Sequence, residues 1–535
     1  MTTRYQPDNP CRMIRAYDRT LARLSRREWL NAAWALGTAA VLQPALSIGL
    51  SAQAPRFSAD PFPLGVASGD PLSNAVVIWT RLAPEPLAGG GMPMTNVEVA
   101  WEVARDDRFA SVVQNGTTVA RPELGHSVHV DVTGLAPDRE YWYRFRVGGE
   151  ASEAGRTRTA PLDAARIDRL RFGVCGCAHY EFGYYTAYRR MAEEHFDFVV
   201  HTGDYIYEGR ANPRAVRQHR GDVCYSLSDY RARYAQYKVD PDLRALHASA
   251  PFVVVPDDHE VMDNYAGDHD ARDTPPEVFF LRRAAAYQAY YEHMPLRASA
   301  IPDGSHIRLY RRLQFGSLLD LHLLDTRQWR SDQACGDGYR TCADARASTQ
   351  TIMGGAQESW LFRSLAERRG RWTMIGQQVP TFAIDRRSID PNARFSMDRW
   401  DGYVEARRRL YGRLREVGAR SAIVLSGDIH QHYASELKMD FADPKSATVG
   451  VELTNSSISS GGDGSEVSMD WQRIRGDNPH VKFHSNRRGY IACTVTPEEV
   501  RANFRIVERI SVPDESARTA GSVVVEAGHP AVNLD

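Results

Sequence analysis

Long apolar runs, an excess of either charge and repetitive sequence are all missing from most of this chain. After residue 54, no segment reaches about 18 uninterrupted apolar residues, which argues against a membrane-spanning helix there. Lys and Arg number 66 against 67 Asp and Glu, for a net charge of −1. Overall charge therefore indicates neither a nucleic-acid partner nor an anionic membrane surface. Neither low-complexity tracts nor internal repeats occur. The composition, 43% hydrophobic and 25% charged, is that of an ordinary globular protein.

Residues 1–54 are set apart. Ser25-Arg26-Arg27-Glu28-Trp29-Leu30 resembles the twin-arginine export motif. A modestly apolar stretch from Ala32 to Leu50 follows, then the small-x-small site Ala52-Gln53-Ala54. Gly37, Gln43, Pro44 and Gly49 interrupt the apolar stretch, which favours a cleaved signal peptide over an anchor. The expected location is periplasmic or secreted, with the twin-arginine machinery as a partner and no stable membrane anchor after cleavage. That route carries proteins already folded, which suits an enzyme loading metal before export. Of the seven cysteines, Cys11 lies in this leader. Cys335 and Cys342 flank the polar loop CGDGYRTC and are expected to close a small disulfide. Cys175 and Cys493 sit in apolar strand contexts, as buried small hydrophobes, and Cys224 is left undecided.

The chain, 535 residues long, is expected to form two domains. Residues 57–160 predict an antiparallel β-domain, with alternating runs at 75–82, 97–104, 126–135 and 141–148 separated by turn residues. Leu135-Ala-Pro-Asp-Arg-Glu-Tyr141 resembles the tyrosine corner of an immunoglobulin- or fibronectin-like sandwich. Strands alternate with helices over 166–515, including a long amphipathic helix at 278–294, and the pattern returns to β near the end. Residues 516–535 are expected as a tail. The predicted fold class is α/β, with a layered core behind an all-β N-terminal domain.

Chemistry concentrates in HTGDYIYEG. The apolar run Phe196, Phe198, Val199 and Val200 predicts a buried strand, which puts Asp204 just past its carboxyl end. Ligand sites form there in open α/β sheets. A carboxylate in that place can bridge two cations, and the phenol of Tyr207 is an uncommon hard ligand suited to ferric iron. Three further segments repeat the arrangement: VCGCAHY (Cys175, Cys177), VVVPDDHEVMDN (Asp257, Asp258, His259, Asp263, Asn264) and VLSGDIHQH (Asp428, His430, His432). Singly, each has a bland explanation, a turn or a satisfied polar group. Together they have no obvious packing rationale and point to a polynuclear metal centre. Cys177 and Tyr207 are candidate ligands of one ion, Asp204 is the best bridge, and Asp428 with His430 can serve neighbouring ions from one loop. Cys175, two positions before Cys177 on the same strand face, leaves the choice of thiolate open on this ground alone. A metal pair about 3.5–4 Å apart with a shared carboxylate offers what phosphate-ester hydrolysis needs: charge neutralisation at the phosphoryl oxygens and hydroxide near neutral pH.

Motifs along nearly all the chain after the leader carry a resemblance. They are PFPLGVASGDP, Cys177-Ala-His-Tyr180 with Gly183-Tyr184, GDYIYE, DDHE with Asn264, AYYEHMPLR, LLDTRQWRSDQ, WDGY, SGDIH, NPHVKF and RRGY. In these the chain resembles the PhoD-type alkaline phosphatases, exported metallophosphatases of the calcineurin-like phosphoesterase superfamily. The resemblance implies a metallophosphoesterase β-sandwich flanked by helices. It also implies a ferric ion (Fe3+) held by Cys177, Asp204, Tyr207 and His430, and one or two calcium ions (Ca2+). Asp204 would bridge to calcium, with Asn264 and Asp428 as further ligands. Family spacing favours Cys177 over Cys175. Asp258 takes the place of the superfamily's Asn in its Asn-His motif, and His259 would face phosphate or support the ligands. Arg283, slightly ahead of Arg282, would contact phosphate, while Asp325 and Arg327 would form a structural ion pair. WDGY and Asn478-Pro-His480 have no derivable role. The implied activity is hydrolysis of phosphate monoesters, diesters or both by a metal-activated hydroxide, without a serine nucleophile. The alternatives are a phospholipase D-like or teichoic-type phosphodiesterase on the same site, or a binding protein with structural metals.

Overall fold

The computed structural model describes residues 57, 59–513 and 515–535; the leader expected over 1–54, Cys11 included, lies outside them. Two sheets form the centre. In the first, the strands Leu170–Cys175, Phe198–His201 and Phe252–Val254 run parallel, Val200 lying opposite Val174 and Val253. In the second, Leu319–Leu323, Trp372–Gly376, Ala422–Ser426 and Thr448–Thr454 run parallel. Such strands are covered on both faces, hence their near-continuous apolar runs. A long strand, Val481–Val495, links the sheets: His432 pairs with Ser485 at its start, and Ile491 with Val174 further on.

Alternation across the strands divides the side chains between layers. Phe172, Val174, Phe198 and Val200 point inward, onto Leu321, Met374, Ile423 and Leu453 of the second sheet. Cys175 and Val199 point outward, into a cluster with helices Thr186–Ala192, Leu227–Lys238, Pro241–Ser249 and Pro276–His293. Helices Gly354–Ala366 and Val404–Glu416 cover the other side. The result is a helix–sheet–sheet–helix stack, the α/β class expected. Helices Leu227–Lys238 and Pro241–Ser249 are separated where Asp240 accepts hydrogen bonds from Asp242 N and Leu243 N, and Pro241 opens the second helix.

The N-terminal β-region is less separate than the sequence suggests. Val97–Ala104, Val112–Ala120, Glu140–Val147 and Gly155–Arg158 lie in one antiparallel sheet. Val66–Leu72, Ala75–Arg81 and Ser127–Thr133 pack beneath it but continue the first central sheet, through pairing of Gly69 with Phe252. A Cβ on Gly69 would lie 2.4 Å from Pro295 O, so only glycine permits that approach. The tyrosine corner is present: Ala136 N–H donates to Tyr141 Oη at 2.9 Å.

The expected tail needs correction. Ala517–Glu526 and His529–Leu534 are strands that extend the first sheet beyond Glu499–Val507, with Val523 and Val525 buried in the central core. Alternating apolar residues in a short terminal stretch were enough to add two strands. Cys335 and Cys342 form the expected disulfide, and Cys175, Cys177, Cys224 and Cys493 are free and buried. Among the described residues, no helix is long and apolar enough to cross a membrane.

Candidate active site

Parallel strands end side by side, so the loops that follow them meet at one edge. Cys177 follows Leu170–Cys175, Asp204 follows Phe198–His201, Asp257 and Asp258 follow Phe252–Val254, and Asp428 and His430 follow Ala422–Ser426. The loops are stitched together: Cys177 N donates to Gly203 O at 3.0 Å and Ala178 N to Asp204 O at 2.9 Å. Gly203 has no room for a side chain, since its Cβ would meet Asp257 Cβ at 2.4 Å. Cys177, Asp204, Asp428 and His430 all take left-handed backbone, at φ 56°, 56°, 68° and 55°. For residues other than glycine that costs roughly 1–2 kcal/mol each, and such strain clusters at functional positions.

Three overlapping groups of ligand atoms result. Those of Cys177, Asp204 and His430 lie within 4.8 Å of one another, as do those of Asp204, Asp258 and His259, and those of Asp257, Asp258 and Asp428. Asp204 belongs to the first and second groups, which is the position of a bridge. Tyr207 Oη lies 2.9 Å from Asp204 Oδ2 and 3.1 Å from His430 Nε2, and Ser460 Oγ donates to it at 2.7 Å. Asp204 Oδ1 and Asp257 Oδ2 are buried without a hydrogen-bond partner.

Electrostatics without a cation are unfavourable here. Burial, then neighbouring Asp204 and Asp257, pushes the Cys177 thiol far above its usual value; burial, then Asp204 and Cys177, does the same to Tyr207. Asp204 is raised by burial and by Asp258, against the opposing pull of His259. Burial lifts Asp428 to about 6, although Arg399 and Arg327 lower it. His430 falls to about 3, through burial and then Arg488, and is neutral, as a ligand must be. Burial alone would depress His259, but Asp258, Glu208 and Asp204 outweigh it and raise its value well above normal. Thiol, phenol and carboxyl crowd around unpartnered oxygens, and a cation would let all three ionise. The donor set fits a ferric ion beside a harder, oxygen-bound ion.

Several supporting residues carried no signal in the strand-end pattern. Glu260, burial lifting it to about 7, accepts hydrogen bonds from Asp204 N, Tyr205 N and Asp257 N and so fixes two loops. Glu208 Oε2 holds His259 Nδ1 at 2.8 Å. Arg488, of the RRGY motif, donates to His430 O at 2.6 Å and Ser460 O at 2.7 Å. Arg327 does not pair its guanidinium with Asp325, as expected; only its backbone N–H donates there. Instead the guanidinium reaches Asp257 at 2.5 Å, Asp398 at 2.6 Å, Asp428 at 3.3 Å and Asp258 at 3.4 Å. Strand spacing could not have found Arg327, because its partners come from distant loops.

Other candidates are not brought into the ligand groups. The Asn264 amide donates to Asp337 Oδ2 at 2.9 Å, and its backbone N–H donates to Asp258 Oδ2 at 2.6 Å. That bond uses Nδ2 and leaves Oδ1, the atom by which an amide ligates a cation, so Asn264 remains a candidate ligand beside Asp258. Arg283 donates to Ser305 O at 2.9 Å and Gly267 O at 2.5 Å, two carbonyls away from the acids, so the guanidinium expected at phosphate is already used. Arg282 donates to Tyr230 Oη at 3.0 Å. His432 turns inward, accepting from Ser456 N at 3.1 Å. Asp263 lies at the rim, 3.7 Å from His259 Nε2. In WDGY, Trp400 Nε1 donates to Gln377 Oε1 and Tyr403 Oη to Ser331 O. Asn478 and His480 fasten the 383–385 loop by bonds to Asp385 and Ala383.

Residues 172–504 match the PhoD-like phosphatase family, and residues 49–161 match the N-terminal domain of PhoD-like phosphatases. Alkaline phosphatase D of Bacillus subtilis strain 168 is 45% identical over 479 residues, 88% of this chain and 82% of that protein. A solved structure of PhoD superposes with a TM-score of 0.88 at 44% identity, covering 90% of this chain and 93% of that one. The fold and the relatives define a phosphoric ester hydrolase. Within that class, the chain belongs to the PhoD-like phosphatase family.

Proposed function

We propose that this phosphatase is an exported, metal-dependent alkaline phosphatase acting on phosphate monoesters, diesters or both at an iron–calcium centre. The observation that supports it is the meeting of Cys177, Asp204 and His430 within 4.8 Å of one another, with Tyr207 Oη against two of them and Asp204 Oδ1 unpartnered. Cys177, Asp204, Tyr207 and His430 would hold iron, and Asp204 and Asp428, with Asn264 or Asp258, would hold calcium. When bound, these ions would supply Lewis acidity at the phosphoryl oxygens and would lower the pKa of water enough for attack near neutral pH. Glu208 fixes His259 Nδ1, which leaves Nε2 on the open side for a phosphoryl or leaving-group oxygen. Glu260 keeps the Asp204 and Asp257 loops in register. Arg327 offsets part of the carboxylate charge from beneath.

Export through the twin-arginine pathway to the periplasm or exterior belongs to the same proposal, supported by the Arg26-Arg27 motif and by a disulfide that suits an oxidising compartment. The deciding experiment assays metal-loaded protein on p-nitrophenyl phosphate and on bis-p-nitrophenyl phosphate, with elemental analysis and a visible spectrum. Turnover of either ester, with iron and a tyrosinate-to-iron charge-transfer band that Tyr207→Phe abolishes, is expected. Metal-replete protein inert toward both esters would overturn the enzymatic reading, and a colourless, iron-replete, active sample would remove Tyr207 from the ligands. Replacing Arg26 and Arg27 by Lys should retain the protein in the cytoplasm; unchanged export would refute the pathway.

A further inference from the structure

A phosphoryl dianion is well matched by a guanidinium fork, yet the arginines singled out in the sequence do not face the acids. Arg283 and Arg282 are engaged elsewhere, as above. Arg327 touches the cluster but is fully buried and bound by acids on several sides. Arg488 is 1% exposed and spends its donors on carbonyls. Arg282 Nη2 and Arg488 Nε also lack partners, but both residues are buried, whereas Arg399 is partly exposed. Its Nε lies 3.7 Å from Asp428 Oδ2, too long for a hydrogen bond, and both side chains are 16% exposed. That Nε is buried with no hydrogen-bond partner. Here an arginine stands beside a candidate metal ligand with part of its side chain exposed, although the unpartnered Nε itself is buried.

The backbone around Arg399 is held firmly. Asp398 before it accepts hydrogen bonds from Arg327 at 2.6 Å, Arg330 at 2.8 Å and Gln333 at 3.2 Å. Trp400 after it is fully buried and bonded to Gln377. Gly402 is closed on by Met397 O, which a Cβ would meet at 2.1 Å. This gives the otherwise unexplained WDGY motif a purpose: it fixes the chain that carries Arg399. Tyr339 faces the guanidinium from the disulfide-closed loop, and its hydroxyl is held below its usual value by Arg399 first, then, against burial, by Arg386. Arg386 in turn lies 4.0 Å over the Tyr339 ring.

We infer that Arg399 binds the phosphoryl group of the substrate. The inference rests on the phosphatase reading above and assigns it a substrate-binding residue. A fixed backbone with one partly exposed, under-bonded cationic head is the preorganised donor such a site needs. Arg399 supplies hydrogen bonds to phosphoryl oxygens on the side of Asp428.

The test uses full-length metal-loaded protein with inorganic phosphate as probe. In Arg399→Ala the iron and calcium content and the visible band should be unchanged. Phosphate should bind about 10- to 100-fold more weakly, and KM for p-nitrophenyl phosphate should rise in step, the usual cost of a charge-assisted hydrogen bond. Arg399→Lys should recover part of the phosphate affinity. Phosphate affinity equal to wild type in a metal-replete Arg399→Ala protein would overturn the assignment. Loss of metal in both Arg399 variants would also overturn it, by making Arg399 a structural counter-ion. Wild-type protein inert toward both nitrophenyl esters would instead sink the phosphatase reading, so the two failures are distinguishable.

Discussion

The N-terminal sandwich and the strand-end cluster both bury polar groups, but they balance them differently. In the sandwich, ion pairs match one acid to one base: Arg144 with Glu102 at 2.6 Å, Arg156 with Glu140 at 2.6 Å, and Arg311 with Asp70 at 2.7 Å where the sandwich joins the central sheet. Its buried unpartnered atoms are neutral hydroxyls, those of Ser68, Ser127, Tyr143 and Thr157. At the strand ends the unpartnered atoms include carboxylate oxygens of Asp204 and Asp257, and Arg327 is shared among several acids. A buried neutral hydroxyl costs a few kcal/mol at most on protein scales, whereas a buried unpaired charge costs far more. A fold tolerates that second situation where a ligand supplies the missing charge.

The sharpest way to break the contrast is Asp204→Asn. It removes the shared carboxylate charge, so iron and calcium should be lost together and turnover should fall about a thousandfold or more, the several kcal/mol of transition-state stabilisation that metals provide. Elemental analysis beside steady-state rates would check it; a metal-replete, fully active variant would contradict the bridge. The matching change on the other side is Trp79→Ala. Trp79 is fully buried, its Nε1 donates to Glu292 O at 3.0 Å, and Lys238 Nζ lies 4.2 Å over its ring. Stability should drop by about 3–5 kcal/mol, read from urea unfolding, while metal content per folded molecule stays constant. If metal binding fell in the folded fraction, the sandwich would be part of the site and not a cover.

What was legible in the sequence follows the same division. Strand ends could be read because parallel strands write themselves as Val/Ile/Phe runs, and Gly203-Asp204 or Gly427-Asp428 marks where each stops. The disulfide, the tyrosine corner and the 278–294 helix were equally local. Non-local pairing was not legible. Nothing in GVASGDP shows that Gly69 will lie against Phe252, so the first sheet looked like a separate domain. The terminal strands were missed because a short alternating stretch gains its partners only through Glu499–Val507. The family resemblance favours Arg283 at phosphate, but which carbonyls a guanidinium finds depends on folded loops such as those of Gly267 and Ser305.

Opening the Cys335–Cys342 bridge should have a smaller effect. The ring it closes spans a sequence separation of 7, and entropy of so short a loop corresponds to about 2–3 kcal/mol. The paired Cys335→Ser, Cys342→Ser variant should therefore unfold at lower urea by roughly that amount. Because Asp337 in the loop accepts from the Asn264 amide, activity should also decline, by less than tenfold, with metals retained. Unchanged stability in the double variant would show that flanking contacts alone hold the loop.

The smallest expected effect concerns pH, and it belongs to histidines outside the cluster. His129 Nε2 lies 3.0 Å from Tyr291 O and from Met294 O, so that nitrogen must carry the proton and the ring is neutral. His322 bonds Ser364 Oγ and His480 bonds Ala383 O. Burial, ahead of any hydrogen bond, lowers all three from 6.5 to about 4. The unfolded chain then binds protons that the folded one refuses. Stability from these groups is complete above pH 6.5, declines as pH falls toward 4 and levels off below that. Between pH 7.5 and 5.5 the loss is about 1 kcal/mol for a fully buried ring such as His322. His322→Gln should flatten that slope in urea midpoints measured across the interval, whatever metal the protein holds. A slope unchanged by the substitution would mean that the acid sensitivity comes from the crowded carboxylates and their cations, and would move the pH response from the scaffold to the strand ends.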